Sequence, residues 1–153
     1  MKRKLIYIAG PLFSDAEKNT NEAMCSIVER YCDVFLPQRD GYLIPDLIKR
    51  GMTVENAYSY VFNRDVEAVR KADALIINLD GRTVDEGAAF ELGLSFALNK
   101  ICVGYRTDVR TLLQWGLNPM ITVPLLEIMH NTEELKEWCM RFVQTEGLRR
   151  VAG

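Results

Sequence analysis

Short apolar runs and amphipathic stretches alternate along the whole chain, the pattern of strands and helices layered about a mostly parallel sheet. Residues 4–9 (KLIYIA) form an apolar run closed by Gly10-Pro11, which predicts a buried central strand. Ser14 or Asp15 then caps a helix reaching to about Tyr31. Residues 34–36 predict a second strand, stopped by Pro37 and followed by a polar loop over 38–41, while 42–51 read as irregular or a short helix. Thr53 stands as N-cap to a long helix over 54–71, which delivers a third strand at 74–79 (ALIINL). After a loop at 80–83 comes a helix from about Asp85 to Asn99, then a fourth strand at 101–104. A long loop containing at most a helical turn spans 108–118, a fifth strand 125–129, and Asn131 or Thr132 caps a last amphipathic helix to about Gln144. With no internal repeat, low-complexity segment or long linker, residues 1–153 read as one domain. Ligands of such sheets bind beyond the carboxyl ends of the strands, where strand order reverses, which directs attention to the loops at 10–15, 38–41 and 80–87.

One of the predicted helices breaks the usual pattern. Residues 87–99 read GAAFELGLSFALN, and Glu91 is the only charge among them. A helix with no polar face is expected to be buried all round, against the sheet on one side and another subunit on the other. Burying a carboxylate costs several kcal/mol unless it is paired or neutralised, so a chain that keeps one there uses it. Helical side chains lean toward the N-terminus, so Glu91 projects over Gly87 and Ala88, two minimal side chains that leave a hollow for a ring-sized substrate. Asp85, at the helix mouth, is placed to cap the first turn or to accept a hydrogen bond from a ligand hydroxyl. Asp65, within Asn63-Arg64-Asp65-Val66-Glu67, is either a third acid of the site or an ordinary surface charge. Tyr7 points opposite to Ile6 and Ile8 in the first strand, and its buried hydroxyl needs a partner that a nearby carboxylate would supply.

Composition narrows the chemistry. At 153 residues, 48% hydrophobic and 26% charged, the chain is long enough for one sizeable core and unlike disordered, collagenous or coiled-coil sequences. Nineteen Lys+Arg against 21 Asp+Glu leave a net charge of −2, with no general drive toward a nucleic acid polymer or an anionic membrane, so the expected partner is small. Its apolar runs fall well short of the roughly 20 residues of a membrane span, and the stretch after Met1-Lys-Arg-Lys is too short for a signal peptide. Cys25, Cys32, Cys102 and Cys139 form no CxxC pair and His130 is the sole histidine, so neither a zinc site nor a disulfide framework has its spacing. Buried thiols of a cytoplasmic protein, with no metal and no cofactor, are the expectation. No phosphate-cradling glycine motif is present, and Asp85 puts negative charge where a helix N-terminus would otherwise hold phosphate. Two or three acids with a tyrosine suit glycosidic chemistry, in which one carboxylate attacks an anomeric carbon and a second acid manages the leaving group.

Residues 6–13 (IYIAGPLF), 63–65 (NRD), 85–93 (DEGAAFELG) and 118–120 (NPM), in that order and spacing, resemble the nucleoside 2-deoxyribosyltransferase family, and the resemblance covers about residues 4–125. It implies a flavodoxin-like three-layer α/β sandwich with a five-stranded, mostly parallel sheet. It also implies transfer of a 2-deoxyribosyl group between purine or pyrimidine bases, with 2′-deoxynucleosides and free nucleobases as partners, in a homo-oligomer whose sites are shared between subunits. Carried onto this chain, Glu91 resembles the nucleophile that forms a covalent ester at C1′, Asp65 the acid that protonates the departing base, and Tyr7 the residue that orients the nucleophile. Asp85 matches the aspartate on the sugar side, and Phe13 and Gln38 would flank the base. Asn118 and Met120 look like the pair supplied by the neighbouring subunit, with Asn118 on the 5′-hydroxyl. Gly10 and Gly87 fall inside the matched motifs and complete the substrate-binding set. A carboxylate nucleophile implies a retaining, two-step route. The nearest rival on this fold is a 2′-deoxynucleoside 5′-monophosphate N-glycosidase, in which a serine commonly takes the place of Asp85; Asp85 opposes that reading by charge repulsion, and Arg82 in the same loop favours it. A non-catalytic nucleotide-binding module is a third reading, and it leaves Glu91 without a use.

Overall fold

The computed structural model describes residues 2–110 and 116–144. Strand β1 (Leu5–Ala9) leads to helix α1 (Asp15–Val28), strand β2 (Asp33–Phe35), the short helices α2 (Pro37–Asp40) and α3 (Ile44–Lys49), and the long helix α4 (Val54–Lys71). Strand β3 (Ala74–Asn78), helix α5 (Glu86–Ala97), strand β4 (Ile101–Tyr105), the turn of helix α6 (Pro119–Thr122), strand β5 (Ile128–Met129) and helix α7 (Thr132–Gln144) follow. The strands pair in parallel in the order β2-β1-β3-β4-β5. This is the flavodoxin-like order, and its reversal lies between β1 and β3. Among the described residues no helix is long and apolar enough to cross a membrane.

Alternation along β1 divides the core. Ile6 and Ile8 face a layer built from α1 and α7, packing with Met24, Val28, Leu135 and Trp138. Tyr7 and Ala9 face the opposite layer, with Val69 of α4 and Ala88 and Leu92 of α5. The helices α1, α4 and α5 start where a side chain satisfies their first free N–H groups: Ser14 and Glu17 form a reciprocal capping box on α1, Thr53 caps α4, and Asp85 caps α5. The four cysteines are free and buried, as their spacing implied.

Several local expectations differ from the structure. The polar stretch at 38–41 is not a loop, because Pro37 supplies a preset φ at the first position of the short helix α2 and Asp40 Oδ2 accepts the Leu36 N–H at 2.8 Å. Helix α1 ends three residues before Tyr31, and the fifth strand shrinks to two residues. Of the predicted 108–118 loop, residues 111–115 lie outside the described residues. Helix α5 is buried on one side by its own chain, and its other side is the one expected to lie against another subunit. Ala88, Leu92 and Ser95 face inward, whereas Phe90, Phe96 and Leu98 are exposed, so the helix presents an apolar outer face.

Gly10, at the carboxyl end of β1, has no room for a side chain. A Cβ there would stand 2.8 Å from Asn78 Cβ and 2.9 Å from Asn21 Oδ1, both buried. Gly10→Ala is expected to lose about 1–3 kcal/mol of stability by overpacking. Urea unfolding checks this, and an unchanged midpoint would show that the β1–α1 loop accommodates the methyl group without strain.

Candidate active site

Tyr7 sits in the middle of β1, fully buried and stacked on Phe35 of the neighbouring strand at 5.4 Å between ring centres and 16° between planes. Its hydroxyl donates a hydrogen bond of 2.5 Å to Glu91 Oε1 on α5. The strand fixes the donor and the helix carries the acceptor, so the contact joins two layers of the fold. Glu91 is half-buried, and its Oε2 has no protein partner among the described residues.

Asp85 Oδ2 accepts the Ala88 N–H at 2.8 Å, and a Cβ at position 87 would approach that same oxygen to 3.2 Å. Gly87 therefore clears space for the cap as well as for the hollow below Glu91. From α4, Asp65 reaches the same place, and its buried Oδ1 makes no hydrogen bond among the described residues. A cavity of about 280 Å³ opens between α4 and α5, where Phe62, Val66 and Phe90 wall in Asp65, Gly87 and Glu91.

Two acids in this dry corner, Glu91 and Asp65, titrate abnormally. Burial, reinforced by the negative charges of Asp65 and Asp85, pushes Glu91 up to about 8 even though the Tyr7 hydrogen bond favours its charged form. Burial also raises Asp65 to about 6, with Arg64 opposing. Tyr7 is driven above its ordinary range by burial and by the charges of Glu91 and Asp65, so it stays a donor at every physiological pH. Between about pH 6 and pH 8 the two carboxyl groups thus hold a single proton between them.

The other sequence-predicted residues lie outside this cavity. Phe13 is 80% exposed on the loop after β1. Gln38 stands on α2 with its amide engaged on both sides: Oε1 accepts from Asn21 Nδ2 at 3.0 Å, and Nε2 donates to the Lys18 carbonyl and to Glu22 Oε1, each at 3.1 Å. Asn118 caps α6, accepting the Met120 N–H at 2.9 Å, and lines a second cavity of about 370 Å³ with Arg82, Val84, Ala89 and Arg110. The Met120 side chain is exposed.

Sequence reasoning missed Phe62 and Phe90, whose rings stand 5.8 Å apart at 50° across the mouth of the Glu91 cavity. The signal for Phe62 was its position one helical turn before Asp65, on the same face of α4. Phe90, read as interior, needed the observed rotation of α5 to appear at the rim.

The sequence profile described as nucleoside 2-deoxyribosyltransferase matches residues 6–144. A conserved protein from Enterococcus faecalis V583 has a similar fold (TM-score 0.74, 24% identity, 92% of this chain and 99% of that one). A 2-deoxyribosyltransferase from Bacillus psychrosaccharolyticus superposes with a TM-score of 0.72 at 20% identity, covering 91% of this chain and 95% of the other. An uncharacterized protein of Ureaplasma parvum, UU063, is 29% identical over 104 residues, which are 65% of each chain. The match thus spans less than two thirds of that relative.

Because folding raises the affinity of Glu91 for its proton, its contribution to stability falls as pH rises from the ordinary value of 4.5 to about 8. Glu91→Gln lacks this ionisation. Its melting temperature is expected to match that of the native protein near pH 4.5 and to exceed it by several degrees above pH 8. Parallel curves of melting temperature against pH would show that the fold does not hold the Glu91 carboxyl in its uncharged form.

Proposed function

The chain belongs to the nucleoside 2-deoxyribosyltransferase family, and from that premise we propose that it transfers a 2-deoxyribosyl group from one nucleobase to another through an ester on Glu91. The observation that carries this reading is the Tyr7 hydroxyl fixed at 2.5 Å on Glu91 Oε1 beside an unpartnered Asp65 oxygen. One carboxylate is oriented to attack and a second is left free to move a proton.

In the first step a Glu91 oxygen bonds to C1′ while the glycosidic C–N bond breaks. The electron pair of that bond goes to the departing base, which takes a proton from Asp65. In the second step the incoming base attacks C1′, the Glu91 carboxylate leaves, and the proton lost by the new base returns to Asp65. Two displacements give retention of configuration. A sugar without a 2′-hydroxyl stabilises the developing positive charge at C1′ better than ribose does, which favours deoxynucleosides. Water entering in place of the second base gives slow hydrolysis.

On this reading Asp85 engages the sugar hydroxyls from the α5 N-terminus, and the β1–α1 loop that starts at Gly10 brings Phe13 over the base, with Gln38 at its edge. Phe62 and Phe90 add apolar walls. Asn118 and Met120 come from a second copy in a homo-oligomer, seated on the apolar outer face of α5 where Phe90 and Phe96 are exposed. The cavity that Arg82 and Arg110 line beside Asn118 favours a second reading, hydrolysis of 5′-monophosphates. Asp85, negatively charged at the adjacent helix mouth, opposes it.

Incubation with thymidine and adenine is expected to yield deoxyadenosine and thymine. Glu91→Ala should remain folded by circular dichroism and lose roughly 10⁴-fold or more in kcat/KM, as for other excised nucleophiles. A 2-fluoro-2-deoxy nucleoside should add a sugar-sized mass to the peptide containing Glu91. Near-native turnover in the folded variant would remove Glu91 from the chemistry, and faster cleavage of dCMP or dGMP than of free nucleosides would establish the hydrolase instead.

The proposed chemistry needs the pair's single proton on Asp65 with Glu91 ionised, the minority arrangement of the singly protonated pair because Glu91 holds its proton more tightly, so kcat/KM should fall below about pH 6, where both groups are protonated, and above about pH 8, where both are ionised. Tyr7→Phe removes a hydrogen bond that favours ionised Glu91. Its alkaline limb should therefore move upward while kcat drops roughly 10- to 100-fold. An alkaline limb that stays in place would mean that the limb reports some group other than Glu91.

A further inference from the structure

Along the carboxyl edge of the sheet runs an unbroken chain of polar contacts that the proposed chemistry does not use. It starts on α1, where the Lys18 carbonyl and Glu22 Oε1 accept from Gln38 Nε2 at 3.1 Å each. Gln38 Oε1 accepts from Asn21 Nδ2 at 3.0 Å, and the same nitrogen donates to the Pro11 carbonyl at 2.8 Å. Asn21 Oδ1 accepts from Asn78 Nδ2 at 2.9 Å, and Asn78 Oδ1 accepts the Asp80 N–H at 3.0 Å. Asp80 ends the chain by accepting the N–H and hydroxyl of Thr107 at 2.6 Å each and the Asp108 N–H at 2.7 Å. The contacts cross the ends of β2, β1, β3 and β4 in the order in which those strands lie in the sheet.

The centre of this strap is dry, with Asn21 and Asn78 each 2% exposed and Gly10 packed against both. A buried amide stripped of a partner costs about 1–3 kcal/mol, so the pair is stable only while both amides stay engaged. What they engage is informative. The Pro11 carbonyl belongs to the loop that carries Phe13, and the Asp80 N–H opens the loop that runs into Asp85 and α5. Such loops, lacking regular hydrogen-bond ladders, ordinarily belong to the least stable parts of a fold.

We infer that Asn21 and Asn78 are positioning residues, which lock the loop after β1 to the loop after β3 and so fix the approach of Phe13 and the α5 N-terminus to the substrate. The link to substrate rests on the function proposed above, whereas the locking of the loops does not.

Asn21→Ala and Asn78→Ala, made separately, are to be followed by amide hydrogen exchange in peptides spanning residues 10–15 and 80–86. Each variant should speed exchange at least about tenfold in both windows, including the one remote in sequence from its own substitution, and leave α7 unchanged. At a temperature where each variant is fully folded, kcat for transfer should fall roughly 10- to 100-fold with KM within about threefold, since misplacement by about an ångström is enough to do this. Exchange that changes only beside the substitution, or a lowered melting temperature with unaltered kcat, would overturn the inference. Should the alanine variants not fold, Asn78→Asp preserves shape. Once corrected for intrinsic exchange, both windows should be protected at low pH, where the protonated carboxyl donates to Asn21 Oδ1, and should lose protection together as it ionises; protection that is insensitive to pH would count against the strap. A native protein that processes no nucleoside would sink the proposed function alone, because the exchange results decide the locking without turnover.

Discussion

The contact on which the site depends is the hydrogen bond from the Tyr7 hydroxyl to Glu91. It requires that β1 lie in the middle of the sheet, that position 7 face the α4–α5 layer, and that α5 cross at the height of that ring. Each condition has a local cause. The parallel order places β1 between β2 and β3, pleating sends Tyr7 opposite to Ile6 and Ile8, and Phe35 on β2 fixes the ring by stacking. Ala88 and Leu92 bury the inner face of α5, which leaves Glu91 at the edge of that buried stripe, over Gly87.

The acids around that bond work against the fold. Burial raises both Glu91 and Asp65, and the neighbouring negative charges raise Glu91 further, so the pair keeps one proton where two separated surface acids would keep none near neutral pH. Stability is drawn from elsewhere, from the two apolar layers on either side of the sheet and from helix caps. Active sites are where such local conflicts are expected to concentrate.

Legibility in the sequence followed the contrast between a residue and its neighbours. Glu91 stood out as the one charge in the apolar stretch 87–99, and Tyr7 as a polar tip in an apolar strand. Asp65 remained ambiguous because α4 carries other charges, and only the fold shows its Oδ1 buried without a partner among the described residues. The strap was invisible for a different reason. Asn21 and Asn78 are 57 positions apart, and nothing in either segment marks the amide as buried until the sheet brings them together. The short helix α2 was hidden by polar composition, although Pro37 was its proper starting residue.

Why the proposed nucleophile should be held by a phenol, and not by a cation, follows from the same electrostatics. An arginine or lysine at this distance in a dry site would pull Glu91 well below its ordinary range and stabilise the carboxylate so strongly that its attack on C1′ would be slowed. A tyrosine whose own ionisation is pushed out of reach by burial and by adjacent negative charge donates one directed hydrogen bond and no net charge. It orients Oε1 while leaving Oε2 without a protein partner among the described residues, and it lets the carboxyl remain basic enough to bond carbon and weak enough as a base to leave again. Asp65, without such a donor among the described residues, keeps a free oxygen for the proton that travels with the base in the proposed reaction. The difference between two otherwise similar carboxyl groups is thus set by whether β1 offers a hydroxyl to one of them.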